Sequence, residues 1–326
     1  MDITKIMENE YKAADTASET NPQYKFKLLQ ITFKVIVLII LDTIKFFTRF
    51  FQTHQQPDKI ANQLALVTGG GNGLGKALCY RLAREKCDLA IVDIDYNAAQ
   101  RTANEISVEF NVKCKAYQCD ISNNLAILKL KDDIESEMRS VDILVNNAGL
   151  LYVTNFMTSK IDEIQKTIQV NLTSHIMMTR TFLNRMIERQ NGRILTICSL
   201  ASLFTAPTLT VYCATKTGLK GFMDCLSDEL YLNNYHKFIR LTSIYPDFIN
   251  TRQEVSDTLD QMKHFLPRLT PEKVADEAVR GMLRKKQNVV VSELKSVFSS
   301  LKYLPKNVKK YVVTKVLNFD SFYKQD

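Results

Sequence analysis

Residues 68–75, Thr-Gly-Gly-Gly-Asn-Gly-Leu-Gly, constrain this chain more than any other stretch. The short apolar run QLALV leads into them, and LGKALCYRLAREK leads out with helical spacing. A buried strand that ends in a glycine cluster and opens at once onto a helix is a βα unit. Gly69 permits the tight turn, Gly73 lets backbone approach a bound phosphate, and Gly75 lets the helix sit close to the strand. The helix N-terminus then turns free N–H groups and its positive dipole end toward that phosphate. A glycine pattern alone is weak; the strand before it and the helix after it supply the context that makes it a dinucleotide seat. Gly69, Asn72, Gly73, Leu74 and Gly75 are therefore the first candidate cofactor-binding residues.

The alternation continues beyond the turn. CDLAIVDID reads as the next strand and YNAAQRTANEISVEF as the next helix; VKCKAYQCD, a helix through Met138, and VDILVNNAG follow. Later strands are GRILTICS, FIRLTSIYP and NVVVS, with helical stretches between them. Strands that alternate with helices predict an α/β fold: one doubly wound, Rossmann-type parallel sheet with helices on both faces, over residues 60–292. There is no internal repeat and no low-complexity tract.

Asp93 closes the second predicted strand, about twenty residues after the glycine turn. A carboxylate there can accept hydrogen bonds from ribose hydroxyls and repels a 2′-phosphate. Neither the glycine loop nor positions 94–96 carries an Arg or Lys. The expected cofactor is NAD in preference to NADP. Asp93 could instead cap the following helix, a role for which Asp95 is an equal candidate.

Further on stands Tyr212-Cys213-Ala214-Thr215-Lys216. A free tyrosine, with a pKa near 10, is a poor base at neutral pH. An ammonium four residues later faces the same side of a helix and favours the phenolate. Tyr212 is then expected to accept the proton of an alcohol while hydride leaves for the cofactor. An isolated Y-x-x-x-K is more commonly an exposed helix pair; the glycine turn and an upstream serine, Ser199, set this one apart.

The spacing T-G-x-x-x-G-x-G, then Asn146-Asn147-Ala148-Gly149, then Tyr212 to Lys216, resembles the short-chain dehydrogenase/reductase superfamily over about residues 60–292. The resemblance implies a catalytic set of Asn171, Ser199, Tyr212 and Lys216. Asn171 would hold the water of a proton relay, Ser199 would polarise the substrate oxygen, and Lys216 would also hold the nicotinamide ribose. Asp120 and Ile121 would contact the adenine, and Asn147 and Gly149 would lie beside the cofactor. Pro246, Ile249 and Thr251, in YPDFINT, would flank the nicotinamide. Two positions depart from the usual pattern: Asp247 stands where a glycine is usual after the proline, and Ser202 stands at a usual glycine three residues after Ser199. Ser202 is also a decoy for the catalytic serine, but the spacing to Tyr212 favours Ser199. Asn171-Leu172-Thr173 matches a glycosylation sequon, an accidental match if Asn171 is buried.

Residues 1–24 are polar and read as a tail. Residues 25–51, KFKLLQITFKVIVLIILDTIKFFTRFF, are strongly apolar, yet Lys34, Asp42, Lys45 and Arg49 interrupt them. On a helix these residues, with Lys27, Gln30 and Thr48, form one polar stripe, and the rest of the surface is Leu, Ile, Val and Phe. The segment, with a boundary near 55, is expected to lie in a membrane interface, its Lys and Arg reaching headgroups. Packing against the domain or another subunit is the alternative. Residues 293–326 alternate basic with apolar and aromatic residues and could cap the substrate pocket, touch the membrane or pack on the core.

A formal charge of +8 would suit nucleic acid only if it were clustered in a recognisable module. The basic residues are instead spread along the chain, and a membrane-proximal surface explains the charge as well. The seven cysteines form no C-x-x-C pair and the four histidines are scattered, so no metal site is expected.

The anchor segment, PDFINT and the basic tail resemble the branch that holds 17-beta-hydroxysteroid dehydrogenases 11 and 13, epidermal retinol dehydrogenases and retinol dehydrogenase 10. That branch implies a hydrophobic alcohol or carbonyl substrate such as a retinoid, steroid or fatty alcohol, a homodimer, and a location at the endoplasmic reticulum membrane or lipid droplet, with the catalytic domain facing the cytosol. Two rival expectations are an NADPH-dependent carbonyl reductase of retinal type and a catalytically idle lipid-droplet scaffold.

Overall fold

The structure, a computed structural model, describes residues 57–205, 207–250 and 268–293, the short helix at 306–311, and the helical positions Phe33, Val37 and Ile40. The expected membrane segment, apart from those three residues, and Thr251 lie outside the described residues. The chain divides into two compact units, Met1–Gln56 and Pro57–Asp326. In the first, Phe33, Val37 and Ile40 are helical and exposed. Among the described residues no helix is long and apolar enough to cross a membrane.

The second unit carries the predicted alternation. Its elements are β1 (Leu64–Thr68), α1 (Gly73–Arg84), β2 (Asp88–Asp93), α2 (Tyr96–Phe110), β3 (Cys114–Gln118), α3 (Asn124–Glu137) and β4 (Ile143–Asn146). Then come α4 (Ile161–Ile168), a π turn (Gln169–Thr173), α5 (Ser174–Glu188), β5 (Gly192–Ile197), α6 (Thr210–Leu232), β6 (Ile239–Pro246), α7 (Pro271–Leu283) and β7 (Asn288–Val291), with α8 (Lys306–Tyr311) beyond. Each of the seven predicted strands forms. They pair in the order β3-β2-β1-β4-β5-β6-β7, every pairing parallel.

β1 explains why the sheet needs helices on both faces. All of its residues are buried. Ala65 and Val67 join an apolar cluster with Leu78 and Leu82 of α1 and Val274 of α7. Leu64 and Leu66 join another with Ile134 of α3, Phe182 of α5 and Met223 of α6. Side chains along a strand alternate between faces, so one apolar run feeds two cores. Chain order reverses at β1 and β4, which are neighbours in the sheet but far apart in sequence. In an open parallel sheet, a crevice forms outside the carboxyl ends of the strands at such a switch. Thr68, Asp93, Asn146, Ile197 and Pro246 all end strands on that edge.

Candidate active site

The glycine turn has the shape its sequence requires. Gly69 has φ +64°, in the left-handed region that side chains rarely adopt. A Cβ on Gly75 would lie 1.8 Å from the Gly69 carbonyl oxygen and 2.7 Å from Asn147 Nδ2, so α1 approaches the turn too closely for any side chain. Exposed Asn72 begins α1 without capping it, and the first turn contains no acidic residue. The N–H groups there have no side-chain partner of their own, which leaves the donor set and positive potential that suit a phosphate. Leu74 turns its side chain into the core.

The turn after β4 braces the glycine turn. Asn147 Nδ2 donates to the Thr68 carbonyl at 2.9 Å and to the Gly69 carbonyl at 3.3 Å. Thr68 Oγ1 donates to the Val145 carbonyl and accepts from the Asn147 and Ala148 N–H groups at 3.0 and 3.1 Å. Asn171 is fully buried and clamps Leu150: Oδ1 accepts its N–H at 2.7 Å and Nδ2 donates to its carbonyl at 2.8 Å. A Cβ on Gly149 would lie 3.4 Å from Asn171 Oδ1 and 3.9 Å from Lys216 Nζ, so these three groups share one small space.

Asp93 and Asp95 divide the roles the sequence left open. Asp95 caps α2 by accepting the Ala98 N–H at 3.1 Å. Asp93 instead turns toward the glycine loop, accepting the Gly71 N–H at 2.9 Å on Oδ2 and the Asp95 N–H at 3.1 Å on Oδ1. Asp120 is exposed and accepts from both the backbone and the hydroxyl of Ser122; Ile121 is buried in the core.

Ser199, Tyr212 and Lys216 come together at the end of β5 and the start of α6. The Ser199 side chain lies near enough to Tyr212 to lower the tyrosine's pKa, and its Oγ accepts the Ala201 N–H at 3.1 Å. Ser202 donates its hydroxyl to the Ser199 carbonyl. Lys216 is buried, with Nζ 5.8 Å from the Tyr212 ring centre and donating to the Ile197 carbonyl at 2.8 Å. Burial pushes Tyr212 up to about 12, the nearby Ser199 side chain opposing it, and burial brings Lys216 down to about 8. The expectation that Lys216 holds Tyr212 below its ordinary value is not met in this state. Desolvation dominates both groups, and the ammonium is engaged with a backbone carbonyl.

Two residues near these groups carried no motif. His175 is fully buried, joined at 2.8 Å through Nε2 to the Ala148 carbonyl, with Nδ1 unpartnered. Burial first, then the charge of Lys216, brings its pKa down to about 3, so the ring is neutral. Its position four residues after Asn171 was the available signal. Thr208 has φ +64°, a genuine outlier for a β-branched residue. It is 4% exposed and its hydroxyl is buried without a partner. Its sequence gave no sign of this, because left-handed backbone is ordinarily flagged by Gly or Asn.

Tyr212 and Thr208 line a narrow cleft. Its wall mixes apolar Tyr152, Phe156, Ile164 and Val211 with several threonines and Glu163. Pro246 is buried at the end of β6, and Ile249 forms a bridge with Leu269. Asp247, in place of the usual glycine, accepts from the Phe248 N–H and the Ser292 hydroxyl, each at 2.9 Å, and burial raises its pKa. It ties this loop to the end of β7.

A family model described as short chain dehydrogenase matches residues 63–261. Human 17-beta-hydroxysteroid dehydrogenase 13 is 30% identical over 83% of this chain and 88% of its own length. Zebrafish (Danio rerio) retinol dehydrogenase 10-B is 30% identical over 79% of this chain and 81% of its own. Human estradiol 17-beta-dehydrogenase 11 is 28% identical over 79% and 83%. Among solved structures, a Burkholderia phymatum protein of this kind in complex with NAD superposes with a TM-score of 0.67 at 20% identity, covering 74% of this chain and 92% of that one. A metagenomic oxidoreductase in complex with NADP gives 0.61 at 24%, covering 72% and 98%.

Proposed function

Because the chain belongs to the short-chain dehydrogenase family, we propose that it oxidises a hydrophobic, lipid-like alcohol, with NAD as its preferred cofactor. The observation that carries this reading is Tyr212 at the wall of the cleft with Lys216 beneath its ring, and Ser199 beside it at the end of β5. A bound nicotinamide dinucleotide would take up the hydride that leaves the carbinol carbon. Tyr212 receives the hydroxyl proton, and Ser199 donates a hydrogen bond to the same oxygen as it becomes a carbonyl. Lys216 holds positive charge behind the tyrosine. Asn171 fixes Leu150 and, through it, the loop that leads into the cleft. The glycine turn and the α1 N-terminus would hold the phosphates, with Asn147 and Gly149 alongside; Asp120 and Ile121 would contact the adenine, and Pro246, Ile249 and Thr251 would flank the nicotinamide.

Names of relatives support the substrate class: they give hydroxysteroids, estradiol and retinol as what those proteins act on. Asp93 supports NAD, since its carboxylate already lies against the glycine loop, where a 2′-phosphate would meet negative charge. One observation favours the reverse reaction, carbonyl reduction. A tyrosine pushed up to about 12 is a proton donor at neutral pH. The same residues serve both directions, and the supply of oxidised or reduced cofactor selects between them.

The N-terminal segment would hold the protein on the endoplasmic reticulum membrane or a lipid droplet, with the catalytic unit on the cytosolic side. Phe33, Val37 and Ile40, at helical spacing and all exposed, support an apolar face awaiting lipid.

The test is a panel of retinoid, steroid and fatty alcohols offered to the full chain with NAD and with NADP, followed by absorbance of the reduced cofactor. Turnover with NAD is expected, and Asp93→Ala should move the NAD/NADP efficiency ratio toward NADP. No turnover of any alcohol, or of the matching carbonyls with reduced cofactor, would leave a scaffold role in its place. A wild type that already prefers NADP would remove the assigned role of Asp93.

A further inference from the structure

Thr208 carries two unfavourable features at once. Its backbone is left-handed, with φ +64°, although its side chain is β-branched. Its hydroxyl is buried and makes no hydrogen bond. Glycine or asparagine would relieve the first, and valine would remove the second without changing shape. The position also lies on the wall of the cleft, four residues before Tyr212. Its conformation is set from outside, since its carbonyl accepts the Thr154 N–H at 3.1 Å, joining the two loops that face each other across the cleft. Buried polar atoms ordinarily find partners, and strained backbone persists where the surroundings impose it. A missing partner on a cleft wall is one that a ligand can supply.

We propose that Thr208 is a specificity residue whose hydroxyl hydrogen-bonds to a second oxygen of the substrate, distinct from the carbinol that reacts at Tyr212. The preferred substrates are then alcohols with a further hydroxyl or carbonyl on an apolar skeleton, in place of simple mono-alcohols. Rotation about χ1 exchanges the methyl and hydroxyl of a threonine between staggered positions, so the group can turn toward the cleft without moving the backbone. The other polar lining groups, Thr154, Ser159, Glu163, Thr167 and Thr210, make that end of the cleft hospitable to such an oxygen. The proposal rests on the reading of the site as an alcohol dehydrogenase, and its test includes readouts that do not need turnover.

The test compares wild type, Thr208→Val and Thr208→Ser in the full chain. The probes are cyclohexanol and the three positional isomers of cyclohexanediol, with binding measured by calorimetry in the presence of NADH and turnover measured with NAD. The wild type should bind its best diol at least about tenfold more tightly than cyclohexanol, which is one hydrogen bond's worth of selectivity. Thr208→Val should abolish that ratio and melt about 2 °C or more above wild type, because it deletes a buried unsatisfied group. Thr208→Ser should keep the ratio. Equal binding of diols and cyclohexanol by wild type overturns the proposal, as does a Thr208→Val that melts lower, fails to fold or keeps the diol preference. If no alcohol is turned over by wild type, the dehydrogenase reading fails, and the binding and melting results still decide the role of Thr208.

Discussion

Under the proposed function, Tyr212 must both hold a proton and lose it. Its surroundings favour the first: burial pushes it up to about 12, and the nearby Ser199 side chain offsets this in part. Under the proposed mechanism, alcohol oxidation draws on the scarce phenolate, and carbonyl reduction draws on the abundant phenol. Oxidation by wild type should therefore rise steadily from pH 7 toward pH 10, while reduction should not rise. Replacing Tyr212 by Phe should lower turnover roughly 100- to 10,000-fold, the usual worth of one general acid–base group, with NADH affinity nearly intact. The measurements are a kcat/KM profile in both directions and a fluorescence titration with NADH. A variant with near-normal turnover, or an oxidation rate flat across that pH range, would contradict the role given to this residue. His175 bears on the same group from behind. A neutral imidazole near Lys216 adds no competing positive charge, so the cation beneath the tyrosine is Lys216 alone among these partners.

Under the proposed function, cofactor binding depends on the βα turn. Its tolerance is smallest at Gly75, where an added Cβ meets backbone at 1.8 Å and not a flexible side chain. Gly75→Ala must push α1 away from the turn. Overpacking of this kind costs about 1–3 kcal/mol, and the displaced N–H groups should no longer converge on a phosphate. A lowered melting temperature and a loss of NADH binding are the expected results; wild-type affinity in that variant would refute the seat assigned to the turn. This element was also the most legible in the sequence, because a glycine cluster between an apolar run and a helical pattern has few other uses. The seven strands were legible for a related reason: strands covered on both faces must read as continuous apolar runs. The π turn was not legible. Its i→i+5 bond, from the Ser174 N–H to the Gln169 carbonyl, depends on how Asn171, Leu150 and the loop before α4 fit together. Thr208 escaped for the same cause, since tertiary contacts set its φ against its own preference. Spacing to Tyr212 is what set Ser199 apart from Ser202 in the sequence.

At the scale of the whole molecule, the two units differ in what their described residues expose. The catalytic unit buries its apolar residues in two layers around the sheet. Phe33, Val37 and Ile40 of the other unit remain exposed. Removing residues 1–56 should leave a catalytic unit that no longer pellets with phospholipid vesicles, whereas residues 20–55 fused to a fluorescent protein should decorate membranes or lipid droplets in cells. If the truncated protein still pellets and the fusion stays diffuse, the anchor lies elsewhere, with the basic-aromatic tail the next place to look. The strand order has a consequence for how such a chain is made. β1 is the first strand translated and ends inside the sheet, third from one edge; β2 and β3 extend that side outward, and β4 to β7 extend the other. No strand has to wedge between two that are already paired. A chain leaving the ribosome N-terminus first can thus add each strand to an open margin as it emerges. The hazard is that one apolar margin stays unpaired until the next strand arrives, so a pause in translation after β4 or β5 would expose this protein to aggregation more than the same pause after β7.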